Sequence, residues 1–236
     1  MIDYDKMQFK SGLYGVNLSQ TQLSQLDKYA ELLVDWNNKI NLTAITDSQG
    51  IMTRHFEDSI ALLKYVEIQE NASLIDVGTG AGFPGMVLKI VRPDLNVTLL
   101  DSLNKRIIFL NEVASQLDIK VNLLHLRAEE GGHMPALREK FDFCCARAVS
   151  NLRELAEYCL PYVKPSGKFI SMKGPNISDE LESARTGIGT LGGKIHSIMQ
   201  YHISDDSERN IIVVDKVRST PSQYPRPYAK IKKKPI

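Results

Sequence analysis

Apolar residues along the chain follow two rhythms, and the change between them falls near residue 73. Over residues 18–41, Leu23, Leu26, Ala30, Leu33 and Ile40 recur at three- and four-residue spacing with Trp36 beside the stripe, the pattern of one buried helix face. Ser19 followed by Gln22 predicts a capping box at its start. A second helix is expected over Ser48–Tyr65 and a polar linker over Glu67–Ala72, so residues 1–72 read as an all-helical N-terminal cap.

From residue 73 short apolar runs alternate with helical segments. Strands are predicted at Leu74–Val77, Val97–Leu100, Val121–Leu126, Phe141–Ala146, Phe169–Met172 and Ile211–Val214. Helices fit Pro84–Val91, Asn104–Leu117, Leu152–Tyr162 and Ser178–Leu191 between them. Such alternation builds a parallel, doubly wound sheet. Gly193–Ile203 reads as one more strand, and Ser204–Arg209 is too short for a crossover helix, so the last two strands should pair antiparallel. The expected fold class is α/β: a seven-stranded, mostly parallel, Rossmann-like sheet over 73–217, with the helical extension before it and a basic tail over 218–236 packed on or beside it.

Composition narrows the function classes. Hydrophobic residues make up 43% of 236, enough for a packed core and too many for a disordered chain. No apolar run exceeds four residues where a membrane span needs about 20, and Met1–Lys6 lacks the basic-then-apolar pattern of a secretory signal. Cys144, Cys145 and Cys159 form no CxxC pair and leave one thiol unpaired, which favours a reducing cytosol and disfavours a zinc site. A cytoplasmic monomer with neither metal nor membrane anchor is expected. The net charge of +1 hides an asymmetry: residues 1–215 carry 22 basic and 28 acidic side chains, and the last 21 residues carry seven basic and no acidic ones. Blocks of one sign often mark tails that touch polyanions, or simply a solvated end.

The chemistry-bearing stretch is Asp76-Val77-Gly78-Thr79-Gly80-Ala81-Gly82-Phe83-Pro84-Gly85, between the first predicted strand and the first helix of the sheet. Glycines there let the backbone turn tightly and approach a ligand. The dinucleotide fingerprint GxGxxG fails because its third glycine falls one position early, at Gly82, and no GxxxxGK[ST] phosphate loop is present. Asp101 lies 23 residues after Gly78, at the end of the second strand, where a carboxylate accepts from ribose hydroxyls. This arrangement resembles the class I S-adenosylmethionine-dependent methyltransferases.

Further blocks narrow the resemblance. They are Trp36-Asn37-Asn38-Lys39-Ile40-Asn41-Leu42-Thr43, His55-Phe56-Glu57-Asp58-Ser59, Leu100-Asp101-Ser102 with Lys105-Arg106, and Arg127-Ala128-Glu129-Glu130. Ala146-Arg147-Ala148, Lys173-Gly174 and Tyr224-Pro225-Arg226 complete the set. Together they resemble the bacterial small-subunit ribosomal RNA methyltransferase G family (glucose-inhibited division protein B) from about residue 18 to 236. The one departure is Tyr228-Ala229, where the family pattern has a glycine.

The resemblance implies S-adenosylmethionine as cofactor and methylation of guanine N7 in 16S ribosomal RNA near the decoding region. The partner would be 16S ribosomal RNA, with naked RNA, an assembly intermediate and the finished small subunit all open as the form acted on. It places Gly78, Gly80 and Phe83 at the cofactor, Asp101 at its ribose, Ala128 and Glu129 beside adenine, and Arg147 near the methionine end or the target guanine. Lys105, Arg106, Arg127, Lys173, Arg226, Lys232, Lys233 and Lys234 are the expected RNA contacts, with Tyr201, Tyr224 and Tyr228 able to stack. No acid–base pair flanks these motifs, and N7 carries a lone pair and no proton, so no general base is expected. The Asn/Asp-Pro-Pro-aromatic motif of exocyclic-amine methyltransferases is replaced by Cys145-Ala146-Arg147-Ala148, and neither Cys144 nor Cys145 follows a proline as a cytosine C5 nucleophile would. The residues leave open a class I methyltransferase acting on another RNA, a protein or a small molecule, and a non-catalytic cofactor- or RNA-binding module. On this reading, removing everything after Asp215 weakens RNA binding more than cofactor binding.

Overall fold

Strands covered on both faces read as unbroken apolar runs, and those runs form the middle of the sheet. A computed structural model describes residues 1–236. It contains β1 (Ser73–Val77), β2 (Asn96–Asp101), β3 (Asn122–His125), β4 (Phe141–Arg147), β5 (Val163–Lys173), β6 (Gly193–His202) and β7 (Glu208–Lys216). They stand in the order β3-β2-β1-β4-β5-β7-β6. The first five pair in parallel, while β7 runs antiparallel to both β5 and β6. The single reversed strand is therefore β7, as the short Ser204–Arg209 connection requires. Strand β5 starts six residues earlier than its apolar run, through an exposed stretch (Lys164–Ser166) beside a register shift in its pairing with β4. Such a segment shows no periodicity to read.

The helices are α1 (Tyr4–Gly12), α2 (Gln20–Asn37), α3 (Ser48–Gly50), α4 (Asp58–Tyr65), α5 (Gly85–Val91), α6 (Asn104–Gln116), α7 (Ala128–Gly131), α8 (Leu152–Cys159), α9 (Ser178–Thr190) and α10 (Tyr228–Lys233). Between α3 and α4 the chain continues as a π-helical stretch, Ile51–Glu57, so the predicted helix over 48–65 is continuous but wider in its middle. Ser19 and Gln22 make the predicted capping box, and Leu23, Leu26, Ala30 and Leu33 are buried.

Side chains of one strand alternate between two cores. Ile170 and Val213 face a core built with Met7, Leu26, Phe56, Leu88 and Phe109, which draws the N-terminal helices and α5–α6 onto one face. Phe169 and Ile212 face the other, with Leu155, Ile188 and Ile231 from α8, α9 and α10. The N-terminal cap thus shares its core with the sheet.

Helix α1 completes the helical cap without an apolar stripe of its own: Met7 is fully buried, and the other inward-facing positions are Lys10 and Ser11. Lys10 Nζ lies 2.9 Å from Glu57 Oε2, Tyr14 donates to Glu57 Oε1 at 3.0 Å, and the Ser204 amide donates to the same oxygen at 2.8 Å. Glu57 is fully buried, so each donor offsets part of its desolvation. Replacing Lys10 by Ala should destabilise the protein by about 3–5 kcal/mol, since it leaves that carboxylate short of its cation. Removing exposed Lys28, which faces Glu31 at 3.4 Å, should cost under ~1 kcal/mol. Urea unfolding followed by Trp36 fluorescence compares the two.

Candidate functional site

The carboxyl end of β1 is organised by Asp76. Its Oδ2 accepts from Thr79 Oγ1 at 2.7 Å and from the Gly85 amide at 2.8 Å, so one carboxylate ties the strand to the glycine turn and to the first amide of α5. The turn needs glycine at Gly78 (φ +71°), where a Cβ would also stand 2.7 Å from Val149 Cγ2. Gly80 (φ +62°) donates its amide to Asp101 Oδ2 at 2.9 Å. Asp101 Oδ1 accepts from the Leu103 amide at 2.9 Å, and Arg106 Nη1 lies 3.2 Å from Oδ2.

These groups line a cleft of about 360 Å³ at the carboxyl edge of the sheet, the edge where open α/β sheets bind ligands. Gly78 and Asp101 form its floor, Ala128 and Glu129 of α7 one side, and Glu154 and Tyr158 of α8 another. Tyr228 and Lys232, from the tail, close it. Two buried polar atoms on the lining residues, Tyr158 Oη and Arg106 Nε, have no hydrogen-bond partner. Buried polar groups are nearly always paired, so both fit a polar ligand such as a nucleoside. The open side above Gly80, where an added Cβ would meet only the Gly78 carbonyl at 4.0 Å, fits one as well.

A second cleft, of about 330 Å³, lies across Ala148 and is cationic. Arg54, Arg147, Lys173 and Arg209 line it with Asp58 and His55. Asp58 is buried; its two oxygens lie 2.8 Å from Arg147 Nη1 and 3.3 Å from Arg209 Nε. Arg147 Nη2 lies 3.4 Å from His55 Nδ1. A guanidinium only donates, so Nδ1 accepts and the ring proton sits on Nε2, which donates to Thr43 Oγ1 at 2.9 Å. Burial, reinforced by the Arg147 charge, lowers the His55 pKa to about 3, so this imidazole is neutral. It stacks on Phe83 at 4.3 Å between centroids.

Each predicted site residue has a definite place. Gly78, Asp101, Ala128 and Glu129 line the first cleft, and Gly80 joins them through Asp101. Phe83 does not open onto it: the ring is 6% exposed, held between Tyr29 at 5.5 Å and His55, and it supports the turn from beneath. Arg147 turns to Asp58 and the second cleft, not to Glu154 on the next helix. Among the expected RNA contacts, Lys105, Arg127, Lys233 and Lys234 are exposed. Three others are occupied within the protein. Lys173 pairs with Glu180 at 2.5 Å, Arg226 with fully buried Glu157 at 2.7 Å, and Lys232 with Glu154 at 2.7 Å. Arg106 faces Asp101, inside the first cleft. Asp58 and His55, one turn apart in sequence, are open to an RNA or interdomain role or to a local helix hydrogen bond, and the structure gives Asp58 to Arg147 and Arg209. Asp76, Tyr158 and Arg209 are not site candidates by sequence, and of these only Asp76 carries a signal, within the glycine-turn block.

Burial raises the Asp76 pKa to about 6 against the partial relief of its Thr79 and Gly85 donors. A raised carboxyl pKa contributes stability that is full below the unfolded value, near 4, and lost as pH rises through about 6. The lowered value of His55 does the reverse: its contribution is full above about 6.5 and lost as pH falls toward 3. Asp76→Asn should therefore gain stability at pH 7.5 relative to pH 4.5 when compared with the parent chain, and His55→Phe should lose acid sensitivity. Denaturant unfolding at the two pH values reads both signs.

Comparison with known proteins fits this geometry. Residues 22–212 match the family model described as rRNA small subunit methyltransferase G. A relative so named from Clostridium perfringens is 46% identical over 235 residues, covering 99% of this chain and 98% of the relative. Another from Acetivibrio thermocellus is 49% identical over 225 residues, covering 94% and 92%. Among solved structures, TrmN from Thermus thermophilus matches with a TM-score of 0.53 at 17% identity, covering 70% of this chain and 53% of that one. A 16S rRNA (adenine(1408)-N(1))-methyltransferase mutant from Catenulisporales acidiphilia matches with a TM-score of 0.52 at 16% identity, covering 66% and 87%. The structural neighbours carry the methyltransferase fold; the sequence match over most of the chain places the protein in the rRNA small subunit methyltransferase G family.

Proposed function

We propose that this chain methylates N7 of a guanine in 16S ribosomal RNA near the decoding region, using S-adenosylmethionine, on the small subunit or an assembly intermediate. The observation that carries the reading is the pair of clefts on either side of Ala148, one lined by the glycine turn and Asp101, the other by four cations. Gly78, Gly80, Asp101, Ala128 and Glu129 would hold the cofactor, which when bound supplies an electrophilic methyl group on a sulfonium. No helix is long and apolar enough to cross a membrane, which accords with a cytoplasmic enzyme working on ribosomal RNA.

Guanine N7 offers a lone pair with no proton to remove, so the protein's task is alignment. Holding the nucleophile in line contributes up to ~7–11 kcal/mol through proximity alone. Arg147, fixed by Asp58 and by its position over Phe83 (5.1 Å from guanidinium carbon to ring centroid), presents a rigid cation at the junction of the two clefts. Guanidinium contacts to guanine commonly use O6 and N7; with N7 reacting, Arg147 is left with O6. Neutral His55 keeps Arg147 oriented without adding a second charge beside it. Arg54, exposed and paired with Asp205 at 2.8 Å, stands where the RNA backbone would pass.

Tritiated-methyl transfer to 16S RNA, small subunits and bulk protein, followed by nucleoside analysis, should place label in 7-methylguanosine of RNA. Label in another nucleoside, or in protein, would refute the assignment. Arg54→Ala should weaken RNA binding and lower the salt slope by about 1 while leaving cofactor affinity unchanged, as read by filter binding at two salt concentrations.

A further inference from the structure

The tail does more than carry charge. Between Lys216 and the C-terminus it crosses the outer face of α8 and is pinned on both sides of α10. Upstream, Arg138 Nη1 donates to the Tyr224 carbonyl at 2.8 Å, His133 Nε2 lies 2.7 Å from the Pro225 carbonyl, and Arg226 forks onto Glu157 at 2.9 and 2.7 Å. Downstream, Arg153 Nε donates to the Ile236 carbonyl at 3.0 Å. The helix between these anchors buries Ile231 in the α8 core and turns Tyr228 and Lys232 to the first cleft.

At that cleft the tail meets an unfinished site. Tyr158 is 6% exposed, yet its hydroxyl has no partner, although Glu129, Glu154 and Tyr228 all stand close enough to bear on it. Tyr228 is 47% exposed at the cleft, held on its other side by the Arg127 guanidinium 5.5 Å from the ring centroid. Lys232 closes the opening through its pair with Glu154, whose other oxygen accepts from Asn151 at 3.1 Å. An aromatic face, an orphaned hydroxyl and the nearby Asp101 carboxylate are the groups that a purine nucleoside satisfies: stacking for the base, hydrogen bonds for its edge and ribose.

We propose that the C-terminal segment completes the cofactor site: Tyr228 and Tyr158, closed over by the Lys232–Glu154 pair, grip the adenosine part of S-adenosylmethionine. This rests on the reading of the first cleft as the cofactor site. Cofactor occupancy and the docking of α10 then become one linked equilibrium, because a ligand that needs the docked tail stabilises it by mass action.

The test uses the full-length chain and S-adenosylhomocysteine as probe, with calorimetry for affinity and hydrogen exchange for the tail. Tyr228→Ala should weaken binding about tenfold, as base–aromatic stacking would. Tyr158→Phe, which keeps the ring and its packing, should weaken it about fivefold through the lost hydrogen bond. The amides of Tyr228–Lys233 should exchange at least tenfold more slowly with probe at 100 times its Kd. Thermal unfolding of each variant verifies that the fold is kept. Asp101→Ala is the control for the underlying reading. If Asp101→Ala abolishes binding while Tyr228→Ala and Tyr158→Phe stay within twofold of the parent, the tail is no part of the cofactor site and the proposal falls alone. If Asp101→Ala also leaves affinity intact, the reading of the cleft falls and takes the proposal with it. Weakened RNA binding by Tyr228→Ala at unchanged cofactor affinity would make the tail an RNA arm instead.

Discussion

One buried carboxylate sets the geometry on which both clefts depend. Asp76 stands at the end of a central strand, is closed off from solvent, and accepts from the turn and from the next helix with the same oxygen. Its other oxygen has no partner. Such a group is costly to bury charged, which is why its proton is held to higher pH than usual. What the cost maintains is a fixed path for the glycine turn, from which Gly80 reaches Asp101 and beneath which Phe83 lies flat. Strand, turn and helix are thereby joined at one carboxylate, and through Gly80 the same turn is tied to Asp101 on the floor of the first cleft.

The N-terminal cap is joined to that piece by two neighbouring carboxylates. Glu57 ends the π-helical stretch and gathers donors from α1 and from the β6–β7 connection; Asp58 begins α4 and gathers Arg147 and Arg209 from β4 and β7. Consecutive acids there serve two separate interfaces, since adjacent helical residues point about 100° apart. π-helical turns recur at functional sites, and here the second cleft lies directly against one.

Much of the fold was legible because it follows from periodicity. The strands, their mostly parallel order, the reversed last pairing and the capping box at Ser19 all depend on local pattern and connection length. Other features depend on where a side chain ends up. Arg147 is readable as an edge residue, yet only the assembled cap shows that its guanidinium turns to Asp58. Tyr158 sits in a helix whose apolar face is ordinary; nothing local distinguishes a tyrosine with an orphaned hydroxyl from one packed as a ring. Helix α1 carries no apolar stripe to read, since Lys10 and Ser11 stand beside Met7 on its buried face and the meaning of Lys10 depends on Glu57 nearly fifty positions later. The aromatic support under the turn was likewise invisible, since Tyr29, His55 and Phe83 come from three separate elements.

Charge distribution is the case in which the same observation changes its cause. A body rich in acids joined to a cationic tail reads as a polyanion-binding arm appended to a finished domain. In the structure the body's acids are what hold the tail. Lys216, fully buried, meets Glu139 at 3.0 Å; Arg226 meets Glu157, itself fully buried; and Lys232 meets Glu154. Buried carboxylates on the outer helices need cations, and the tail is where those cations are. Cutting the chain after Asp215 would strand these acids and unmake one wall of the first cleft, so the loss would not be confined to RNA affinity. Lys230 and Lys233 of α10, with Lys234 just beyond it, are exposed and carry no such pair. Tyr228 and Lys230 lie about 200° apart around this six-residue helix, so the exposed charge and the wall of the first cleft occupy different faces of one element, and a force on either face moves both.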